Sequence, residues 1–319
     1  MNTHQFINEI EPGDRIVGFY CIKEVKICKT KNGDDYLSAI LADKTGCISA
    51  VMWKCASDAA SLEAGKVVYL DAESKVFREK KQLTLKEIRN ATPEERSEYR
   101  ENDMIAMAPI NISATIAYVL EQIHAIEDPD FQKICLTMYE RHREELISIP
   151  AAKSVHHSFV GGLLMHTANM LRLTEAVIRV YKNVVNPSLL TAGVFLHDIG
   201  KIKEFEIGKL GTVTAYTAQG NLLGHPVMGA DEVKKVAEEL GVSEEKSMLL
   251  QHMILGHHGK PEHGAAVKPL CVECEVLSNI DMVDSRVEIY AESLEKMTPG
   301  TFSGPIFGLE KSIYKHLLS

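Results

Sequence analysis

Hydrophobic and polar residues alternate loosely along residues 13–90, and short polar turns separate the apolar runs. Asn32-Gly33 is a dipeptide typical of tight hairpin turns, and Lys44-Thr45-Gly46 supplies another turn. Alternation with a period of two predicts strands that bury one face. We therefore predict five strands, at residues 15–27, 36–43, 47–53, 66–72 and 82–86, with a short helix at residues 57–62 between the third and fourth.

Five strands with a small helix between the third and fourth is the element order of an OB-fold barrel. Such barrels bind single-stranded nucleic acid by stacking bases on aromatic rings and by placing basic residues along the backbone. The candidate contacts are two aromatic residues and the basic residues of the turn before the last strand: Trp53, Phe77, Lys75, Arg78, Lys80 and Lys81. Phe19, Tyr36 and Tyr69 are further stacking candidates. The structural alternative puts the aromatic rings in the barrel core and the lysines on a solvated hairpin tip.

From residue 110 onward the apolar period lengthens to that of a helix. Residues 110–123 and 131–147 predict two amphipathic helices, and Pro150 stops the second. Five more helices are predicted at residues 159–181, 188–199, 226–240, 243–258 and 271–290, with a small hairpin inserted at 203–216. We thus predict a multidomain α and β chain: an OB-fold barrel over residues 1–95, a helical linker over 96–150, and an all-α domain with an inserted hairpin over 151–319.

Composition narrows the class of protein. The 319 residues suffice for two domains, and the fractions of hydrophobic (45%) and charged (25%) residues are those of an ordinary globular protein. No apolar run approaches the roughly 18 residues of a membrane span, and no signal peptide is evident. Seven scattered cysteines predict reduced thiols and a cytoplasmic location. A net charge of −9 argues against a protein that coats polyanions, and most of this acidity lies after residue 95.

A His-Asp pair ends the apolar run at residues 193–196 and is followed by Gly200 and Lys201. Adjacent helical residues point about 100° apart, so both could reach one ion only across a helix end. An imidazole nitrogen with a carboxylate oxygen suits Zn, Mn, Fe or Ni, and Lys201 would add positive charge for a phosphate. The pair alone fits a polar helix end equally well, but further potential ligands occur along the chain in the order His166, His197-Asp198, His225, His257-His258 and Asp281.

This order, with the continuation Asp198-Ile199-Gly200-Lys201, resembles the HD superfamily of metal-dependent phosphohydrolases. The resemblance implies a divalent metal site, with two ions and Asp198 placed to bridge them. Mn is the first choice of metal, and Fe, Co, Ni, Zn and Mg are alternatives. The implied ligands are His166, His197, Asp198, His225, His257, His258 and Asp281. Whether both neighbours His257 and His258 bind metal stays open.

The layout of the whole chain is similar to that of the YhaM-type 3′–5′ exoribonucleases of bacteria. Matching motifs are His156-His157 ahead of residues 161–167, the segment 216–225, His257-His258-Gly259 and Asp281-x-x-Asp284. Met165 departs from the acidic residue expected before His166. The resemblance implies hydrolysis of single-stranded RNA, or of DNA, from the 3′ end to nucleoside 5′-monophosphates by metal-activated water, with Asp198, Lys201 and His157 as catalytic residues. A homo-oligomer is compatible with it.

Two other functions remain open at this stage. One is an HD-type nucleotide or cyclic-dinucleotide phosphohydrolase in which the OB-fold is regulatory. The Gly-Tyr-Pro signature of the cyclic-dinucleotide branch does not follow His197-Asp198. The other is a non-catalytic nucleic-acid-binding protein that keeps a metal as a staple, but a staple would need no second group of histidines.

Overall fold

The computed structural model of the chain describes residues 4–30, 33–53, 61–77, 80–104, 107–151, 159–208, 211, 213–295 and 297–318. The chain divides into two compact units. The first comprises Met1–Met107 with Ile207–Thr214, and the second comprises Ala108–Glu206 with Ala215–Ser319. The three-part division with boundaries at residues 95 and 150 stays a prediction.

Five strands of the first unit form a closed barrel: β1 (Arg15–Lys29), β2 (Asp35–Asp43), β3 (Gly46–Trp53), β4 (Val67–Phe77) and β5 (Lys80–Asn90). Their order around the barrel is β1-β2-β3-β5-β4, and β4 pairs back onto β1. The β3–β5 pair is parallel, and the other pairs are antiparallel. This is the OB-type order, so the predicted barrel is confirmed. The predicted helix at 57–62 lies mostly outside the described residues.

Alternation along the strands builds the barrel core, as the pattern predicted. On β4, Val68, Leu70 and Ala72 are fully buried, while the residues between them are partly exposed. The buried carboxylate of Asp43 accepts a hydrogen bond from the backbone N–H of Ile7 at 2.7 Å. The segment before β1 is therefore held against the barrel.

The last two strands are longer than the sequence predicted. We expected the fourth to end at residue 72 and the fifth to begin at 82, but β4 and β5 pair as far as Phe77 and Lys80. Lys75, Lys80 and Lys81 therefore lie on strands and not in a turn, which corrects the prediction. The physical reason is that backbone hydrogen bonds continue the ladder where polar side chains remove the alternating pattern.

Short helix α1 (Glu101–Met104) follows the barrel. The second unit contains α2 (Ile112–His124), α3 (Pro129–Ser148), α4 (Gly162–Tyr181), α5 (Pro187–Leu196), α6 (Lys201–Glu204), α7 (Ala218–Glu239), α8 (Glu244–Gly256) and α9 (Val272–Glu295). Strands β6 (Phe205–Ile207) and β7 (Val213–Tyr216) form the predicted inserted hairpin between α6 and α7. No helix within the described ranges is both long and apolar enough to cross a bilayer.

Helix α5 is the central helix, since every residue from Leu189 to Leu196 is buried. Asn186 caps its first turn by accepting a hydrogen bond from the backbone N–H of Leu189 at 3.0 Å. The helix ends at Leu196, three residues earlier than predicted. At Gly200 a Cβ atom would lie 2.1 Å from the carbonyl oxygen of His225, so the chain can approach α7 here only with glycine.

Helix α7 begins earlier than the predicted residue 226. Thr217 caps it by accepting a hydrogen bond from the backbone N–H of Gly220 at 2.9 Å. Gly224 has φ +74° and ψ 156°, which breaks the helix for one residue directly before His225. A left-handed φ is easy only for glycine, so this kink is encoded in the sequence.

Candidate metal centre

One buried cluster in the helical unit collects side chains from five helices. Helices α4 and α9 contribute residues from within their length, α5 and α8 contribute the residues that follow their ends, and α7 contributes the residue after its kink. The cluster contains every ligand implied by the resemblance: His166, His197, Asp198, His225, His257, His258 and Asp281. The helices therefore bring together residues that are far apart in sequence.

The first group surrounds His166. Its Nε2 lies 3.3 Å from Nε2 of His197 and 3.4 Å from Oδ1 of Asp281. Nε2 of His197 lies 3.3 Å from Oδ2 of Asp198. Potential ligand atoms of His166, His197 and Asp198 all fall within 4.8 Å of one another, which is close enough for one ion.

The second group consists of His225, His257 and His258, whose potential ligand atoms also lie within 4.8 Å of one another. Oδ1 of Asp198 lies 3.3 Å from Nε2 of His225 and 3.7 Å from Nε2 of His257. The two oxygens of Asp198 thus face different groups, since Oδ2 is the atom near His197.

Unpartnered polar atoms test whether this cluster fits a metal. Among the residues that the structure describes, seven buried side-chain nitrogen or oxygen atoms have no hydrogen-bond partner. Four of them belong to this cluster: Oδ1 of Asp198, Nε2 of His225, Nε2 of His257 and Nδ1 of His258. An unsatisfied buried polar atom costs about 1–3 kcal/mol, so four in one place call for an unseen partner. A cation would supply such a partner, and imidazole nitrogens with a carboxylate form a suitable donor set.

Hydrogen bonds from Nδ1 set the orientation of the imidazole rings of His197 and His257. Nδ1 of His197 donates to the carbonyl oxygen of Val194 at 2.7 Å, and Nδ1 of His257 donates to that of Ile254 at 2.6 Å. A carbonyl oxygen can only accept, so the proton sits on Nδ1 and the Nε2 lone pair of each ring faces the cluster. These carbonyls belong to the last turns of α5 and α8, which is why both histidines follow helix ends.

The pKa shifts favour the metal-binding form of two residues. Burial lowers the pKa of His257 well below its usual value, and neighbouring His258 lowers it further. Burial by itself would raise the pKa of Asp198, but the charge of Lys201 and contact with His197 outweigh burial and hold that pKa low. Neutral imidazole and ionised carboxylate are the forms that bind divalent metals.

The pKa of His166 is shifted in the opposite direction to that of His257. Burial lowers its pKa, but hydrogen bonds to Asp281 and Asp284 outweigh burial and raise the pKa to about 9. The Nδ1–Oδ2 distance to Asp284 is 2.7 Å. Metal binding at His166 therefore competes with a proton at neutral pH.

Comparison with known proteins places this geometry in a family. The HD domain family matches residues 163–286, which include all seven cluster residues. The 3′–5′ exoribonuclease YhaM of Geobacillus sp. (strain WCH70) is 36% identical over 312 residues, which cover 97% of this chain and 94% of that protein. The 3′–5′ exoribonuclease YhaM of Bacillus subtilis (strain 168) is 34% identical over 308 residues, covering 96% of both chains.

The chain belongs to the YhaM family. The matches to these relatives cover 96–97% of the chain, so the family membership includes the barrel as well as the HD domain. The resemblance inferred from the sequence is confirmed. Among solved structures, the phosphodiesterase PgpH HD domain of L. monocytogenes is similar at 18% identity and a TM-score of 0.27, over 55% of this chain and 77% of that one.

Lys201 and His157 were predicted as catalytic residues together with Asp198. Nζ of Lys201 lies 2.6 Å from Oδ2 of Asp198, one helical turn along the chain. Burial would lower the pKa of Lys201, but Asp198 outweighs burial and raises it, so the ammonium stays charged. His157, and His156 beside it, lie outside the described residues.

The predicted nucleic-acid contacts on the barrel differ in their surroundings. Trp53 is 56% exposed and lies against Tyr36, with ring centroids 5.1 Å apart. Phe77 is also 56% exposed. Phe19 is only 7% exposed and packs against Tyr69, so it has the structural role that the sequence left as an alternative.

The basic candidates of the barrel are partly engaged with their own chain. Nζ of Lys75 lies 3.4 Å from Glu73, and Nζ of Lys81 donates to the carbonyl oxygen of Ile10 at 2.5 Å. Arg78 and the side chain of Lys80 lie outside the described residues. RNA contact by these residues stays a prediction.

Two acidic residues that the sequence analysis gave no role lie directly behind the cluster. Asp284 contacts His166, as described above. Glu204 accepts from the backbone N–H of His225 at 2.9 Å, and its two carboxylate oxygens each lie 3.1 Å from Nδ1 of the same residue. The sequence contained a hint of both positions, because each acidic residue lies one helical turn after a predicted site residue. Glu204 follows Lys201, and Asp284 follows Asp281.

Proposed function

We propose that this chain is a metal-dependent 3′–5′ exoribonuclease that hydrolyses single-stranded RNA to nucleoside 5′-monophosphates at the cluster around Asp198. The observation that carries the proposal is the set of four unpartnered buried atoms around Asp198, in a chain 36% identical to a 3′–5′ exoribonuclease over 97% of its length. Single-stranded DNA is the alternative substrate.

Two divalent ions fit the two groups of ligands, one with His166, His197 and Asp281 and one with the histidines of the second group. Asp198 would be shared, because its two oxygens face different groups. Mn is the proposed metal, with Fe, Co, Ni, Zn and Mg as alternatives. Such ions supply Lewis-acid chemistry: they lower the pKa of water and neutralise charge on a phosphodiester.

Lys201, beside the ligand Asp198, holds that carboxylate in position and balances part of its charge. Lys201 holds Oδ2 of Asp198 by a charge-assisted hydrogen bond and leaves Oδ1 without a protein partner. The ammonium of Lys201 also offsets part of the negative charge that a phosphodiester and the carboxylates of Asp198 and Asp281 would bring together. We propose that His157 contacts the scissile phosphate.

On the barrel, the exposed rings of Trp53 and Phe77 are proposed to stack on bases of the RNA chain. Basic residues beside them would contact phosphates: Lys75, Arg78, Lys80 and Lys81. A cytoplasmic location belongs to the same proposal, because seven scattered cysteines are typical of a reducing compartment. A homo-oligomer is compatible with it.

A time course on 5′-labelled single-stranded RNA with Mn²⁺ tests the proposal. We expect a ladder that shortens from the 3′ end, and Asp198→Ala should lose it. Asp231→Ala is the matched control, because Asp231 is an exposed residue of α7 that pairs with Lys235 away from the cluster. A wild-type enzyme that leaves RNA intact but hydrolyses mononucleotides or cyclic dinucleotides would contradict the proposal. An RNA-binding protein that cleaves none of these substrates would show that the metal has a structural role only.

A further inference from the structure

A groove of about 1820 Å³ opens from the cluster across the surface of the helical unit. Its inner end is lined by His257, His258 and Asp281, and its far wall is formed by residues 305–310. That wall lies beyond residue 286, where the match to the HD domain family ends. Pockets for single small ligands measure roughly 300–1,000 Å³, so the groove has room for several nucleotides.

We infer that this groove binds the 3′-terminal nucleotides of the substrate, with Phe307 stacking on a base and the groove cations contacting phosphates. The groove cations are Lys260, Lys268 and Arg286. The inference rests on the proposed exonuclease function and adds a binding site to it, separate from the candidate contacts on the barrel.

Phe307 is held on the groove wall with its ring in solvent. Its side chain is 93% exposed, the largest value for a bulky apolar residue in the described ranges. The short 3₁₀ turn Phe307–Leu309 that carries it is anchored, because Leu309 and Ile313 are buried against Ile289 of α9. An aromatic ring displayed by an anchored segment beside a catalytic groove suits stacking on a base.

The backbone directly after this turn has an unusual conformation. Glu310 has φ +54°, the one left-handed non-glycine residue in the described chain. Its backbone N–H donates to the carbonyl oxygen of Ile306 at 2.8 Å, which closes the turn. Such a conformation is unfavourable for a residue with a side chain, so the fold maintains this turn at a cost.

Helix α9 connects the wall to the cluster through one stripe of side chains. These side chains follow the i, i+3, i+4, i+7, i+8 pattern of one helix face and line the groove: Ser278, Asp281, Met282, Ser285 and Arg286. Arg286 follows the cluster residue Asp281 by five positions, or roughly 7.5 Å along the helix axis. A guanidinium at that position lies where the chain of a phosphodiester bound at the cluster could continue.

The charges of the groove are mixed. Over the ranges that the structure describes, no carboxylate lies within 4.0 Å of Lys260, Lys268 or Arg286. Glu262, Glu275 and Glu310 also line the groove, so it lacks the uniform positive charge of a polyanion-binding channel. Unpaired cations together with an exposed ring fit a ligand that combines phosphates and aromatic bases, as a single-stranded nucleic acid does.

The first test compares RNA oligomers that end in a normal or an abasic 3′ nucleotide. Phe307→Ala should lower kcat/KM on normal RNA by roughly 5- to 150-fold and should remove the preference for the normal end. Phe307→Trp should keep that preference. Phe302→Ala is the matched control, because Phe302 is 73% exposed on the same segment and does not line the groove. The thermal midpoint and bound metal of each variant show whether it is folded.

A second test does not depend on turnover. RNA carrying 4-thiouridine at its 3′ end should crosslink to the peptide that contains Phe307 in an Asp198→Asn background, which keeps the RNA intact. In the same background, Arg286→Ala should reduce the slope of log affinity against log salt by about 0.7 if it contacts one phosphate of a single strand. Arg179→Ala, an exposed arginine of α4, should leave that slope unchanged.

The outcomes separate the two proposals. Suppose that the wild-type protein shortens RNA from the 3′ end and that Phe307→Ala is equally active and equally selective for the 3′ base. That result would overturn the groove inference and leave the exonuclease function standing. Wild-type protein that hydrolyses bis(p-nitrophenyl) phosphate but no RNA would overturn both. A crosslink confined to peptides of the barrel would also overturn the groove inference.

Discussion

Removing the carboxylate of Glu204 should weaken metal binding although Glu204 itself is not a predicted ligand. Glu204 is buried and contacts His225 through both the backbone N–H and Nδ1. Together these contacts fix the position and the tautomer of a ring whose Nε2 faces the cluster. Glu204→Gln keeps the size of the side chain and one acceptor, whereas Glu204→Ala removes both acceptors.

The size of the effect follows from these contacts. Loss of a residue that orients a metal ligand typically costs 10- to 100-fold in metal affinity, or about 1.4–2.7 kcal/mol. We expect roughly 10-fold for Glu204→Gln and roughly 100-fold for Glu204→Ala. The alanine variant should also lose about 1–3 kcal/mol of folding free energy, because the buried N–H of His225 is left without a partner.

Calorimetric titration of metal-free protein with Mn²⁺ measures the affinity directly, and urea unfolding measures stability. Glu232→Gln is a matched control, since Oε1 of Glu232 lies 2.7 Å from Nε2 of buried His142, which is not a ligand. This control should lose stability and keep wild-type metal affinity. A folded Glu204→Ala protein that binds both equivalents of metal as tightly as wild type would refute the reasoning.

Three further predictions concern pH, backbone packing and metal. Burial raises the pKa of Glu232, but contacts with His142 and Lys203 outweigh burial and lower it from 4.5 to about 2. The stability that this shift contributes should be fully present above pH 4.5 and be lost as the pH falls towards 2, so the unfolding free energies of wild type and Glu232→Gln in urea should converge there. Gly200→Ala should cost about 1–3 kcal/mol or more in the same assay, because its Cβ would overlap backbone, whereas Gly18→Ala, with no atom within 4 Å, should change stability by less than about 0.5 kcal/mol. Mn²⁺ at 100 times its Kd should stabilise the protein by about 2.7 kcal/mol, which raises Tm by roughly 5–10 °C. Asp198→Ala should abolish that rise, and an equal rise in the variant would contradict the ligand assignment.

Much of the fold could be predicted from local patterns in the sequence. Alternation of apolar residues reports burial of one strand face, so the five strands could be predicted, and their succession along the chain indicated an OB-type barrel. The pattern failed near the ends of β4 and β5, because the alternation of buried positions on β4 stops after Ser74 and residues 75–77 are exposed. Backbone pairing there continues without a buried face, and no residue-level signal marks it.

The order of histidines and aspartates along the chain determined which residues could form the metal cluster and which family the chain belongs to. It did not determine how the two oxygens of Asp198 divide between two groups, or that Lys201 takes one of them. Those contacts depend on where the ends of α5 and α8 meet the kink of α7.

The sequence by itself thus determined the element types, their succession along the chain and the set of candidate ligands, because these follow from short-range sterics and from residue chemistry. Only the tertiary structure decided that Glu204 supports His225, that Asp284 supports His166, and that Phe307 stands on the wall of the groove. The reason is physical: the distance between side chains on different helices is set by the packing of whole helices against a shared core, and many local patterns are compatible with more than one such packing.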